Sequence, residues 1–101
     1  MAMTLKEQAQ KLLAKVPDEY VFRCQDGRIL RDMKELAEAL ATMTDETFAY
    51  HSNAEKKDFS KWVRDVIGDE KLAKDLEKAG NRAQAAKQAA TRVATLTRRL
   101  A

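Results

Sequence analysis

An amphipathic segment near the middle of the chain limits the possible folds most strongly. Its apolar side chains recur at the 3.6-residue period of an α-helix, and they form one stripe made of Phe59, Trp62, Val63, Val66 and Ile67. Asn53 can cap the N-terminus of this helix, and Gly68 suits its C-terminus. We therefore predict a helix from about residue 54 to Gly68 that packs its stripe against other elements.

Three aspartates flank this stripe on the side of Trp62. Asp58, Asp65 and Asp69 follow one another at intervals of seven and four residues, so they share one row of the predicted helix. Two interpretations are open. The aspartates are ordinary boundary residues that cap helices or pair with lysines, or they form a polar docking edge beside an exposed part of the Trp62 indole. The candidate interaction residues are His51, Asp58, Trp62, Asp65 and Asp69.

Capping signals predict further helices on both sides of this segment. Each predicted helix follows a Thr, Asp or Asn residue that can accept a hydrogen bond from its first turn. These helices cover about residues 5–15, 45–51, 70–79 and 82–99, with another between Asp32 and Met43. The stripe of the last helix consists of Ala86, Ala89, Val93, Leu96 and Leu100.

The segment from Tyr20 to Gln25 changes from helical to strand periodicity. Tyr20, Phe22 and Cys24 alternate with polar or outward residues, and an Asp-Gly turn signal follows at Gly27. Residues 28–30 can return as a second short strand. The sequence thus predicts a mostly α fold: a compact bundle of five or six helices with a small β-hairpin near residues 20–30.

Length and composition predict one domain, residues 1–101. The chain has 45% hydrophobic residues, enough for a core, although few of them are aromatic. Its only cysteine, Cys24, is predicted to be a small buried hydrophobe, and no disulfide can form within the chain. No apolar run reaches membrane-spanning length and no secretion signal is present, so we expect a cytoplasmic protein without a membrane partner.

The positive charge is concentrated at the C-terminus. Residues 1–80 carry 14 basic and 16 acidic side chains, whereas residues 81–101 carry five basic and none acidic. Such asymmetry favours anionic partners. The candidate anion-binding residues are Arg82, Lys87, Arg92, Arg98 and Arg99.

The sequence contains few residues that could serve in catalysis or cofactor binding. His51 is the only histidine, and one histidine with one cysteine on different elements cannot form a zinc site. The three glycines suit turns and caps and do not form a phosphate-binding loop. His51 suits a helix C-terminus as an imidazolium, or it forms a structural latch with Asp58. We predict no catalytic residues, no cofactor and no metal.

Two linked motifs resemble a family of small, chiefly archaeal prokaryotic domains of unknown function. They are F-x-Y-H, which ends at His51, and D-F-x-x-W-x-x-D-V, which begins at Asp58. The resemblance covers residues 20–80 and leaves residues 1–17 and 81–101 as flanking helices. It implies a compact helical domain without assigned catalytic residues, in which His51, Asp58, Trp62 and Asp65 form one unit.

These observations favour a non-enzymatic protein–protein interaction or adaptor domain. Its partner is an unidentified protein or, through the terminal helices, a second copy of the chain. The alternative is an accessory nucleic-acid-binding protein that uses the basic C-terminal helix. A third hypothesis, an enzyme centred on His51 and Asp58, requires a pocket that holds both.

Overall fold

The backbone follows the predicted order of helices around one small hairpin. The computed structural model describes residues 2–101; Met1, the first residue of the predicted flanking segment 1–17, lies outside them. The described chain forms helices α1 (Leu5–Leu13), α2 (Met33–Thr42), α3 (Asp45–His51), α4 (Asp58–Trp62), α5 (Glu70–Lys78) and α6 (Arg82–Arg98), and strands β1 (Phe22–Arg23) and β2 (Ile29–Leu30). The mostly α fold with a small hairpin is confirmed.

Helix α6 is the element against which three of the other helices pack. It lies mainly along α2 and also contacts α1 and α5. Ala85, Ala89 and Leu96 of α6 are fully buried, and the two alanines let the neighbouring helix approach closely. Helix α1 adds Ala9 and Leu12 to the same core. Both terminal helices therefore pack on the residues between them.

The central helix starts later than predicted. The side-chain oxygen of Asn53 accepts hydrogen bonds from the backbone N–H groups of Glu55 and Lys56, at 2.9 and 3.0 Å. The backbone N–H of Asn53 also donates to the carbonyl oxygen of Lys56. These bonds close a tight turn, so α4 begins only at Asp58, after Lys57, whose side chain makes no capping bond.

The C-terminal end of the central helix widens into a π-helical turn over Val63–Ile67. The carbonyl oxygen of Val63 accepts the N–H groups of both Gly68, at 2.7 Å, and Asp69, at 3.1 Å. Gly68 adopts a left-handed conformation with φ of 90°, and this ends the helix as its sequence position predicts. The wide turn and Gly68 together redirect the chain into α5.

The first strand of the hairpin is shorter than the segment of alternating residues that predicted it. Phe22 and Cys24 are buried as predicted, but Tyr20 is exposed because it lies in the 3-10 turn Asp18–Tyr20 that precedes β1. Burial raises the pKa of the Cys24 thiol, and the neighbouring Asp26 carboxylate raises it further by its charge. The cysteine is therefore a packed hydrophobe with little thiolate character.

Both terminal helices end slightly before their predicted ends. Helix α1 ends at Leu13, before the predicted residue 15, because the N–H of Val16 donates to the carbonyl oxygen of Arg31 at 2.8 Å. Helix α6 ends at Arg98, and Ala85 is more deeply buried than Ala86.

We predict that Gly68→Ala lowers the free energy of unfolding by about 1 kcal/mol, because a residue with a Cβ is disfavoured in the left-handed region. A Cβ built at Gly68 has no atom within 4 Å, so the cost is conformational and not a clash. Chemical denaturation measures it. Gly80→Ala is the control, since Gly80 lacks a positive φ and a Cβ there meets only the flexible Gln84 side chain, at 3.2 Å. Equal effects at the two glycines would contradict the prediction.

Candidate interaction site

The structure brings three of the five candidate interaction residues to one groove. Asp58, Trp62 and Asp65 line a groove of about 300 Å³ together with Phe22, Lys61 and Val66. The five residues on the central helix are spaced as i, i+3, i+4, i+7 and i+8, which places them on one helical face. We call this surface the Trp62 groove. His51 lies beneath it, and Asp69 lies elsewhere.

His51 is a buried link between three elements. The backbone N–H of Gln25 donates to Nε2 of the imidazole at 2.9 Å, so Nε2 carries no proton. Nδ1 therefore carries the proton and donates to Oδ2 of Asp58 at 3.0 Å. This joins the hairpin, the end of α3 and the start of α4. The predicted hydrogen bond between His51 and Asp58 is present, and His51 lies at the C-terminal end of α3 as predicted. The imidazolium form predicted there does not fit, because Nε2 accepts a hydrogen bond.

An aromatic cluster centred on Phe22 supports the groove from below. The Phe22 ring stacks on Phe59 with centroids 5.0 Å apart, and it meets His51 and Trp62 edge-on at 5.0 and 5.8 Å. Such contacts contribute beyond the burial of the rings themselves. The cluster holds the floor of the groove in one arrangement.

Trp62 is buried, whereas the docking-edge interpretation requires part of its indole ring to be exposed. Only 8% of its surface is exposed, and its Nε1–H donates to the carbonyl oxygen of Tyr20 at 2.8 Å. The indole N–H is thus used within the fold. Trp62 presents a narrow edge to the groove and no free hydrogen-bond donor.

The two carboxylates of the groove differ in their surroundings. The Asp58 side chain is 32% exposed and is held by His51 and, at 3.6 Å, by the ammonium of Lys56. The Asp65 side chain is 50% exposed and pairs with its neighbour Arg64 at 3.1 Å. An exposed pair of this kind contributes little to stability, so Asp65 is the carboxylate that remains available to a partner.

Asp69 does not belong to the same edge as the other aspartates. The π-helical turn and Gly68 carry it away from the groove and into the core, where its side chain is 2% exposed. One carboxylate oxygen accepts from Nε of Arg92 at 2.8 Å, and the other accepts the Leu72 N–H that opens α5. Its predicted role as the cap of α5 is confirmed. The prediction that Asp69 belongs to a docking edge is wrong.

The fold uses two of the five candidate anion-binding residues internally. Arg92 pairs with Asp69, and its side chain is only 11% exposed. Arg82 pairs with Asp45 at 2.8 Å and donates to the carbonyl oxygen of Leu40, which lies near the end of α2. The C-terminal segment therefore presents fewer free cations than its sequence suggests. Lys87 and Arg98 are exposed, and Arg99 is half-buried.

Phe22, Lys61 and Val66 line the groove but are absent from the residues predicted as a site. Lys61 and Val66 follow from the same helical spacing as Asp58 and Asp65, so that spacing could have identified them. No local pattern assigns Phe22 to the groove, because it comes from a strand far away along the chain.

Neither a metal-binding cluster nor a membrane-spanning helix is found in residues 2–101. No group of three or more His, Cys, Asp or Glu side chains is placed to hold a metal ion, and no helix there is both long and apolar enough to cross a membrane. Both ring nitrogens of His51 are engaged in internal hydrogen bonds.

Comparison with known proteins adds no relative. No protein-family model matches the chain, and no curated protein or solved structure matches it either. The resemblance of residues 20–80 to a family of small prokaryotic domains stays a prediction.

We predict that His51→Ala lowers the free energy of unfolding by about 3 kcal/mol, because it leaves a cavity among aromatic rings and removes the acceptor of the Gln25 amide. Hydrogen exchange should show faster exchange at that amide. Asp58→Asn is the control, since an amide oxygen can still accept the proton on Nδ1 and the Gln25 amide stays protected. Unchanged exchange at Gln25 in His51→Ala would rule out the link.

We predict that Asp69→Asn lowers the free energy of unfolding by about 3 kcal/mol, because it leaves the buried Arg92 guanidinium without a counter-charge. Asparagine can still cap α5, so the effect isolates the ion pair. Asp45→Asn is the matched control: its side chain is 87% exposed, and the expected loss is less than about 1 kcal/mol. Equal losses in urea denaturation would contradict this difference.

Proposed function

We propose that this chain is a non-enzymatic protein–protein interaction domain and that the Trp62 groove is its docking surface. The observation that carries the proposal is an apolar floor made by Phe22, Trp62 and Val66 beside the half-exposed carboxylate of Asp65. Interaction sites commonly combine a buried aromatic anchor with a polar rim. The groove is small, so it suits one or two side chains of a partner and a transient contact.

The rigidity of the surface supports the same proposal. The floor rests on the Phe22 aromatic cluster, and the hydrogen bonds of His51 and Trp62 tie it to the hairpin. A surface that is ordered before binding loses less conformational entropy when the partner arrives. We place the protein in the cytoplasm, where the single buried Cys24 stays reduced.

A second copy of this chain is the other partner that fits the sequence. Helix α6 exposes small residues on its outer face, among them Ala83, Ala90 and Ala94. Small residues let helices approach one another closely. Sedimentation over a range of concentrations distinguishes self-association from a monomer that binds another protein.

Nucleic-acid binding is the second candidate, supported by the absence of acidic residues in segment 81–101. Because Arg82 and Arg92 are committed to internal ion pairs, Lys87, Arg98 and Arg99 are the cations left to contact phosphates. Such binding weakens steeply as salt rises, by roughly one power of the salt concentration for each phosphate contacted. Protein binding through a mainly apolar groove depends on salt much less.

We predict that Asp65→Asn weakens partner capture and changes the free energy of unfolding by less than about 0.5 kcal/mol, because Asp65 is exposed and its ion pair with Arg64 lies at the surface. The measurement is an affinity pull-down from cell extract with the tagged full-length chain, read by quantitative mass spectrometry. Glu46→Gln is the control, since it removes one exposed carboxylate outside the groove.

The same pull-down is divided into nuclease-treated and untreated halves. A protein that survives nuclease, is reduced by Asp65→Asn and is retained by Glu46→Gln supports the proposed function. Loss of every partner after nuclease treatment would replace it with nucleic-acid binding through segment 81–101. Equal capture by the two variants would exclude the Trp62 groove as the docking surface.

A further inference from the structure

One edge of the hairpin keeps main-chain hydrogen-bonding groups free. The N–H of Cys24 donates to the carbonyl oxygen of Arg28 at 2.9 Å, across the hairpin. Bonding alternates along an antiparallel strand, so the main-chain groups of Phe22 and Cys24 face β2, and those of Val21 and Arg23 face outward. Within residues 2–101, the main-chain N–H groups of Val21 and Arg23 have no hydrogen-bond acceptor.

The free edge runs along the Trp62 groove. At one end, the outward N–H of Gln25 is bound by His51, which in turn holds Asp58 of the groove. Phe22, which lies between Val21 and Arg23 in the chain, lines the groove with its ring. The unused main-chain groups on either side of Phe22 therefore lie next to residues that line or support the groove.

The opposite edge of the hairpin is covered by the protein itself at Arg31, which follows β2. Beyond β2, the N–H of Arg31 donates to the carboxylate of Glu35 at 2.7 Å, and its carbonyl oxygen accepts the N–H of Val16 at 2.8 Å. An unpaired strand edge is a template for another strand, and proteins commonly cover such edges. Ile29 of β2 also keeps outward main-chain groups without a partner in residues 2–101, so what distinguishes β1 is Phe22, which lines the Trp62 groove.

We propose that an extended peptide segment of a partner protein pairs with the outer edge of β1 and places alternate side chains into the Trp62 groove. This inference rests on the proposed function and specifies its partner. The pairing is β-augmentation, in which main-chain hydrogen bonds supply affinity and side-chain pockets supply specificity.

The lining of the groove defines the side chains of this peptide. Alternate residues of a strand face the same side, so one apolar side chain packs on Phe22, Trp62 and Val66. The next side chain on that face is a lysine or arginine that reaches Asp65. Asp58 is already held by His51 and Lys56. Asp65, by contrast, is half-exposed and pairs with its exposed neighbour Arg64, so Asp65 is the carboxylate that a cationic side chain of the peptide can reach.

A peptide library tests this assignment even though the partner is unidentified. Random linear peptides displayed on phage are selected on the immobilised full-length chain. We expect enrichment of an apolar residue followed two positions later by lysine or arginine. A selected peptide, added to the isotope-labelled protein, should slow hydrogen exchange at the amides of Val21 and Arg23.

Arg23→Pro tests the strand pairing itself. It removes an outward N–H that the fold does not use, and proline is tolerated on an edge strand in such a position. We expect at least about a tenfold loss of peptide affinity. Arg23→Ala keeps the N–H and should bind within about threefold of the parent chain. If Arg23→Pro does not fold, N-methylation of alternate peptide residues serves instead: methylation should abolish binding at every second position only.

The outcomes separate the inference from the proposed function. The enriched peptides could tolerate both Arg23→Pro and N-methylation and yet lose affinity with Asp65→Asn. This result would overturn the strand pairing and keep the groove as a docking surface. No enrichment, with capture unaffected by Asp65→Asn, would overturn both. A third result is that no peptide is enriched, the parent chain dimerises and the Arg23→Pro variant stays monomeric. This result would assign the edge to a second copy of the chain and overturn the proposal of a partner peptide.

Discussion

A single buried imidazole links the elements that form the candidate site. His51 accepts a hydrogen bond from the hairpin at Gln25 and donates one to Asp58 at the start of α4, while its ring packs against Phe22 and Phe59. The position of β1 relative to α4 depends on these contacts. The groove and the free strand edge both lie between those two elements, so the geometry of the site depends on His51 although the residue does not line the groove.

Two arginines of the C-terminal helix have a structural role in the fold that their charge alone does not indicate. In the sequence, Arg92 lies beside the apolar stripe of α6, where a charged residue is expected to face solvent. In the structure it is buried with Asp69 and joins α6 to α5. Arg82 joins the start of α6 to α2 and α3. Two residues that suggest an anion-binding surface therefore make contacts within the fold, and fewer cations of α6 remain free than its sequence suggests.

Much of the fold could be predicted because its signals are local. Caps at Thr4, Thr44 and Asn81 and the left-handed Gly68 mark helix ends through contacts within one turn, and all four occur as predicted. One failure arises where a residue has two local options of similar energy. Asn53 can cap a helix or close a turn, and in the structure it closes a turn.

The sequence by itself determined the type and order of the elements and the helical face that carries Asp58, Trp62 and Asp65, because these depend on periodicity and capping over a few residues. Only the tertiary structure decided that Phe22 completes the groove, that Asp69 leaves it and that β1 keeps an unpaired edge. These features depend on contacts between residues far apart in the chain, such as the 2.8 Å hydrogen bond from Trp62 to Tyr20. Such contacts leave no local pattern, because their free energy appears only when the helices have packed.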